Sequence, residues 1–189
     1  MPKLKNKIIG FDLDGVILDH TATKIKLAKS FGWELRPEQT HSEIIKNIIP
    51  KEALDQLKSA LYDDPKISLK SPAAKGARSV LSKIKSKYPY FLISRRKKPK
   101  IAIKILKFKK LWPEFFNKGN TFFVSEPKDK NKIGKQLGIT HYIDDEPNVL
   151  KKLTDIKNRI LFDPHNSSPH TANFIKVKSW KELISLIDS

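Results

Sequence analysis

Five short β-rich runs, IIGFD (8–12), YFLIS (90–94), TFFVS (121–125), HYIDD (141–145) and RILFD (159–163), each stop on a polar residue. Between the later runs lie amphipathic segments of helical length: AAKGARSVLSKIKSK (73–87), KIAIKILKFKK (100–110), DKNKIGKQLG (129–138) and PNVLKKLT (147–154). A last one is SWKELISLI (179–187). Strands alternating with helices predict βαβ units, and so an α/β fold whose parallel sheet is covered on both faces. In such sheets ligands bind beyond the carboxyl ends of the strands. Asp12, Ser94, Ser125, Asp144, Asp145 and Asp163 therefore share one edge. A single acidic or hydroxyl residue there is usually a turn former or a helix cap. Several at one edge point to a site.

Residues 20–71 break the alternation. TATKIKLAKSFGW, PEQTHSEIIKNII and KEALDQLKSALY read as three helices, with Pro37 and Pro50 near helix starts and DDP (63–65) closing the set. The expected division is a core of residues 1–19 and 72–189, with a small helical insertion at 20–71 standing over the sheet's carboxyl edge.

Composition narrows the class. At 189 residues the chain can bury one sizeable core with a modest insertion. The absence of cysteine excludes a disulfide scaffold and thiolate metal sites. The N-terminal MPKLKNK has no signal-peptide pattern, and no apolar run approaches the ~20 residues of a membrane span. A soluble cytoplasmic protein without a membrane partner is expected. The net charge of +18 suits phosphate polyanions, but of 38 Lys and Arg only five are arginine, leaving 33 lysines spread along the chain. Arginine is the better fork for phosphates and bases, so nucleic acid is a possible but not the favoured partner. The run RRKKPKIAIKILKFKK (95–110) holds nine cations and no acid directly after Ser94. It reads either as a solvated face or as an anion-binding rim with Arg95 and Arg96 nearest the strand end.

The stretch KIIGFDLDGVILDH (7–20) ends an apolar strand with Asp12 and Asp14 two residues apart, then breaks at Gly15. Together with Asp144 and Asp145 these carboxylates would repel one another without a cation. Oxygen donors at that density suit Mg²⁺, which is held by a few carboxylates with water and substrate phosphate. A carboxylate can attack phosphorus to give an aspartyl-phosphate, and a second can protonate the leaving oxygen and later activate water.

FDLDGVI resembles the hhhDxDG(V/T) motif of the haloacid dehalogenase-like hydrolase superfamily. FLIS, KDKNK and HYIDDEP resemble its other three motifs, in order, over the whole chain. The resemblance implies a three-layer sandwich around a Rossmann-like, parallel, five-stranded sheet of order 3-2-1-4-5, with residues 20–71 as a small helical cap. It implies that Asp12 is the nucleophile and a Mg²⁺ ligand. Asp14 would be the general acid and base, with its backbone carbonyl also on the metal. Ser94 would hydrogen-bond a phosphoryl oxygen, and the charge run after it, not the resemblance, offers Arg95 as a substrate-binding cation. Lys130 would neutralise the nucleophile and the phosphoryl group. Spacing leaves Lys128 and Lys132 as alternatives for that lysine, and Lys130 is preferred because DKNKIGKQLGITHYIDD resembles relatives in which the lysine directly follows an aspartate. Asp145 would hold the metal with Asp144 in support, although the two can exchange roles. The dehalogenases lack an aspartate at the position of Asp14, so its presence argues against dehalogenation.

The expected function is Mg²⁺-dependent hydrolysis of a small phosphorylated metabolite. Alternatives are a phosphatase acting on nucleotides or nucleic-acid ends, and a non-catalytic basic interaction protein. Asp19 is expected to shape the junction at residue 20. His165 and His170 in DPHNSSPH read as part of a turn, His20 and His41 fall in or near the cap, and Trp33, Trp112 and Trp180 read as packing residues.

Overall fold

The computed structural model describes residues 7–168 and 174–189. Strand β1 (Ile9–Phe11) is followed by a helical stretch: α1 (Thr21–Ser30), a 3₁₀ turn (Pro37–Thr40), α2 (Ser42–Ile45), α3 (Lys51–Asp63) and α4 (Pro65–Ser68). Helix α5 (Ala77–Lys87) and β2 (Tyr90–Ser94) resume the alternation, which continues with α6 (Pro99–Phe108), β3 (Thr121–Phe123), α7 (Pro127–Gln136), β4 (His141–Asp144), α8 (Pro147–Leu150), β5 (Asn158–Phe162), β6 (Ile175–Val177) and α9 (Trp180–Asp188). No described helix is long and apolar enough to cross a membrane.

The sheet runs β3-β2-β1-β4-β5-β6 with every pair parallel. The five expected strands take the expected order, and the expected count is corrected by a sixth at the edge. Only Val177 of β6 is buried, and Ile175 stays 44% exposed. Three residues with one buried side chain carry too little apolar signal to read as a strand.

Alternation along the strands builds the three layers. Phe11, Leu92, Ile143 and Ile160 face α5, α6 and α9 through Leu81, Ile84, Ile105, Leu183 and Ile187, with Trp180 stacked 5.4 Å from Phe11. On the other face Ile93, Tyr142 and Leu161 pack with Leu150, Leu153 and Ile156, and with Ile133 of α7. The helical stretch has an apolar cluster of its own, made by Ala28, Leu35, Ile45, Ile49, Leu54 and Leu57 with Trp33 against it.

Two expected helices come out shorter. PNVLKKLT keeps a single turn, Pro147–Leu150. PEQTHSEIIKNII splits at His41, whose backbone is extended (φ −62°, ψ 140°). The Thr40 hydroxyl donates to the Pro37 carbonyl at 2.8 Å, and His41 Nδ1 accepts from the Glu43 amide at 3.2 Å. These local side-chain bonds compete with the helical ladder and end it. At the other junction, Asp19 Oδ1 accepts from the Thr21 amide at 2.9 Å and so starts α1.

Candidate active site

The sheet order reverses at β1: β2 lies on one side of it and β4 on the other, which opens a crevice at their carboxyl ends. Asp12 follows β1, and Asp144 with Asp145 closes β4. One carboxylate oxygen from each of Asp12, Asp144 and Asp145 lies within 4.8 Å of the others. Lys130, in the first half of α7 and 1% exposed, reaches in from below. Its Nζ donates to Asp12 Oδ1 at 2.7 Å and to Asp144 Oδ2 at 2.8 Å. Lys128 and Lys132, the two alternatives, are exposed. Removing Lys130 would leave buried carboxylates uncompensated, which costs ~3–5 kcal/mol.

Asp144 is fully buried and fully engaged, since its other oxygen accepts from the Glu146 amide at 3.0 Å. The Asp145 carboxyl has no hydrogen-bond donor among the described residues. Gly15 makes room for it: a Cβ there would lie 2.0 Å from Asp145 Oδ2, and the glycine's φ of +82° is one that side chains rarely adopt. His41 Nε2 donates to the Asp145 carbonyl at 3.0 Å, so the break in the second helix brings a ring from the helical stretch to the end of β4.

Burial pushes the Asp12 carboxyl up to about 7 against the pull of Lys130, and Asp144 and Asp14 add to the rise. Burial, then Glu146, Asp144 and Asp12, hold Asp145 well above the ordinary carboxylate range. For Lys130 burial works the other way, and Asp12 and Asp144 outweigh it, so the ammonium stays charged. Three carboxylates against one lysine leave an excess of negative charge on hard oxygen donors, with one carboxyl free of donors. This set fits a divalent cation such as Mg²⁺.

Asp14 turns away from that cluster. Arg96 holds it bidentately, Nε to Oδ2 at 2.8 Å and Nη2 to Oδ1 at 2.7 Å, and His20 Nε2 lies 2.6 Å from Oδ1. Burial alone would raise the Asp14 carboxyl, but the Arg96 charge and His20 hold it far below the usual range. Ser94 is fully buried, and its Oγ accepts from the Arg96 amide at 3.2 Å. Of the two arginines that follow Ser94, Arg95 is exposed on the cavity wall and Arg96 is buried. Alternation beyond the strand end, which keeps Ser94 and Arg96 on one side, is the signal that separates them.

A cavity of about 540 Å³ lies between the sheet edge and the helical stretch. Asp12, Asp14, Arg95, Arg96 and Ser125 line it from the core, and Lys24, Lys58 and Tyr62 from the helices. Its size suits a small-molecule ligand. Asp163 also lies at the carboxyl edge, but it accepts from the Ser167 and Ser168 amides and pairs with Lys176 Nζ at 2.7 Å. It organises the loop after β5. His165 sits in that turn with Nε2 3.1 Å from Thr21 Oγ1, and His170 lies outside the described residues.

Comparison with known proteins identifies the family and bears out the fold. The family model described as 5′ nucleotidase, deoxy (pyrimidine), cytosolic type C protein matches residues 6–189. No curated protein matches the chain. Among solved structures, a haloacid dehalogenase-like family hydrolase from Streptococcus pneumoniae is 14% identical with a TM-score of 0.67, over 96% of this chain and 98% of that one. A HAD family hydrolase from Deinococcus radiodurans with bound phosphate and sodium is 16% identical with a TM-score of 0.66, over 96% and 94%. A HAD-like protein from Bacillus subtilis bound to magnesium is 15% identical with a TM-score of 0.66, over 97% and 99%. At such identities these structures establish the fold. The family match spans nearly the whole chain, and the chain therefore belongs to the cytosolic type C 5′-nucleotidase family of haloacid dehalogenase-like hydrolases, as an enzyme of the phosphatase class.

Proposed function

We propose that this enzyme hydrolyses a small phosphomonoester through an aspartyl-phosphate on Asp12, with Mg²⁺ as cofactor. The observation that carries the reading is the cluster of Asp12, Asp144 and Asp145, with Lys130 bonded to the first two and with Asp12 and Asp145 on the wall of a cavity of ligand size. Asp12, Asp145 and the Asp14 carbonyl would hold Mg²⁺, with Asp144 in support. When bound, the ion supplies positive charge to the phosphoryl oxygens.

In the first step an Asp12 oxygen attacks phosphorus, the bond from phosphorus to the leaving oxygen breaks, and Asp14, having taken a proton from solvent on release from part of the Arg96 fork, gives that oxygen the proton. In the second, water attacks phosphorus while Asp14 takes back a proton. The bond from phosphorus to Asp12 breaks and inorganic phosphate leaves. Ser94 would donate to a phosphoryl oxygen, and the Lys130 ammonium would offset the charge that builds during transfer. Arg95, exposed on the cavity wall, would meet the far end of the substrate. Residues 20–71 would act as a cap that limits what enters.

Nucleoside 5′-monophosphates are the first members of the substrate class to test, because the matching family is described as a 5′ nucleotidase of cytosolic type. That description also supports a cytoplasmic location. Phosphate release is to be measured from sugar phosphates, nucleoside monophosphates and a 3′-phosphorylated oligonucleotide, each with Mg²⁺ or with EDTA. The reading expects metal-dependent release, largest for a small substrate. Release that EDTA leaves unchanged would remove Mg²⁺ from the account. Preference for the oligonucleotide would move the substrate to nucleic-acid ends.

A further inference from the structure

Arg96 has more bonds than an ion pair needs. Its guanidinium donates twice to Asp14, and its third nitrogen, Nη1, donates to the Tyr62 carbonyl at 3.0 Å. The guanidinium carbon lies 4.6 Å from the centre of the Tyr62 ring, and the side chain is 3% exposed. Tyr62 belongs to the last turn of α3, in the helical stretch, whereas Arg96 and Asp14 belong to the loops after β2 and β1. The His20 ring, at the start of that stretch, meets Asp14 on one side and sits edge-on to Tyr62 at 5.7 Å. The other hydrogen bonds of this guanidinium among the described residues go to Asp14, so α3 and the Asp14 carboxylate share one rigid, planar connector.

Such a connector is poor value as a stabiliser, because the cost of desolvating a buried ion pair largely cancels its attraction. It is well suited to transmit position. Both Asp14 oxygens act as acceptors here, and to reach a leaving oxygen the carboxyl has to give up part of the Arg96 fork. The fork is anchored at its other end on α3. A shift of α3 against the sheet edge moves the guanidinium through the Tyr62 carbonyl and ring together.

We infer that Arg96 is a positioning residue that ties the place of helix α3 to the place of the Asp14 carboxylate, so that the helical stretch governs when Asp14 serves the leaving oxygen. This rests on the proposed role of Asp14 as acid and base. Lysine is not equivalent at this position, since it lacks both the fork and the flat face.

The test compares kcat/KM, which covers the steps up to departure of the leaving group, for two probes with Mg²⁺ on the full chain. p-Nitrophenyl phosphate releases an oxygen that needs no proton, and a nucleoside 5′-monophosphate releases an alkoxide that needs one. Asp14→Asn is the reference and should lower the alkyl probe far more than the aryl one. Arg96→Gln is expected to lower the alkyl-to-aryl ratio at least about tenfold. Arg96→Lys should fall between it and the wild type. Tyr62→Leu, on the helical stretch, should move the ratio in the same direction by about threefold, the size of one cation–π contact. A thermal melt shows that each variant is folded, and p-nitrophenolate released in the first turnover reads the aryl step without the later one.

If Arg96→Gln lowers both probes by the same factor, Arg96 only supports the fold or binds the phosphoryl group, and the inference is overturned. An unmoved ratio in Tyr62→Leu overturns the link to α3. Should Asp14→Asn leave alkyl turnover intact, the role of Asp14 fails on its own, whatever Arg96 does.

Discussion

At the scale of single residues, the site is a problem in charge. Asp12, Asp144 and Asp145 crowd within 4.8 Å, and Lys130 offsets only part of their charge. Asp145 has burial and three acidic neighbours against it. Without a cation it opposes folding, so Asp145→Asn should raise the melting temperature in EDTA by ~2–4 °C, equivalent to about 1 kcal/mol in a chain of this size. The same variant should lose the stabilisation that Mg²⁺ gives the wild type. Thermal melts with Mg²⁺ and with EDTA check both, and a lower melting temperature in EDTA would contradict the picture. The residues of this cluster were legible because each ends a predicted strand or directly follows a motif aspartate. Arg96, His20 and His41 were harder. Arg96 is one cation in a run of nine; alternation past Ser94 separates it from Arg95, but its partner Asp14 comes from another loop and only the fold brings the two together. His20 and His41 reach Asp14 and the Asp145 carbonyl through turns whose course depends on tertiary contacts.

At the scale of elements, the loop after β1 aims the aspartates, and Gly15 is its critical residue. Gly15→Ala combines a left-handed backbone, worth ~1–2 kcal/mol, with a Cβ that displaces the Asp145 carboxylate. Gly32 shares the left-handed backbone (φ +88°) but has open space around it. Gly15→Ala should therefore lose both stability and turnover, whereas Gly32→Ala should lose stability alone; melts and phosphate release on the two variants separate strain from collision. The loop after β5 is held by Asp163. Burial works to raise its carboxyl, but Lys176 and the Ser167 and Ser168 amides outweigh burial and hold it below its ordinary 3.8. A carboxyl depressed in the folded state contributes its full stability above 3.8 and loses it as pH falls below that value. Wild type and Asp163→Asn should accordingly differ most in melting temperature at neutral pH and converge in acid. Strands β1 to β5 were legible from alternation and polar ends. β6 was not, since one buried residue in three gives no pattern, and the split at His41 turns on side-chain bonds that compete with the helix.

At the scale of the whole molecule, the positive charge and the acidic site have different origins. The lysines are spread over nearly every segment, and most stay in solvent, as their exposure shows. The acids that matter are gathered by topology, because the reversal of strand order at β1 brings the ends of β1 and β4 together. A parallel sheet with this order was therefore enough to assemble Asp12, Asp144 and Asp145 from distant parts of the sequence, with the helical stretch closing a cavity of about 540 Å³ over Asp12 and Asp145. The claim on which the rest depends is that Asp12 attacks phosphorus. Phosphate release with Mg²⁺ by Asp12→Asn beside the wild type, both checked for folding by melting, tests it most directly. Loss of turnover by about 10³-fold or more is predicted, the scale on which an enzyme nucleophile acts. A folded Asp12→Asn that turns over within a few-fold of the wild type would contradict it.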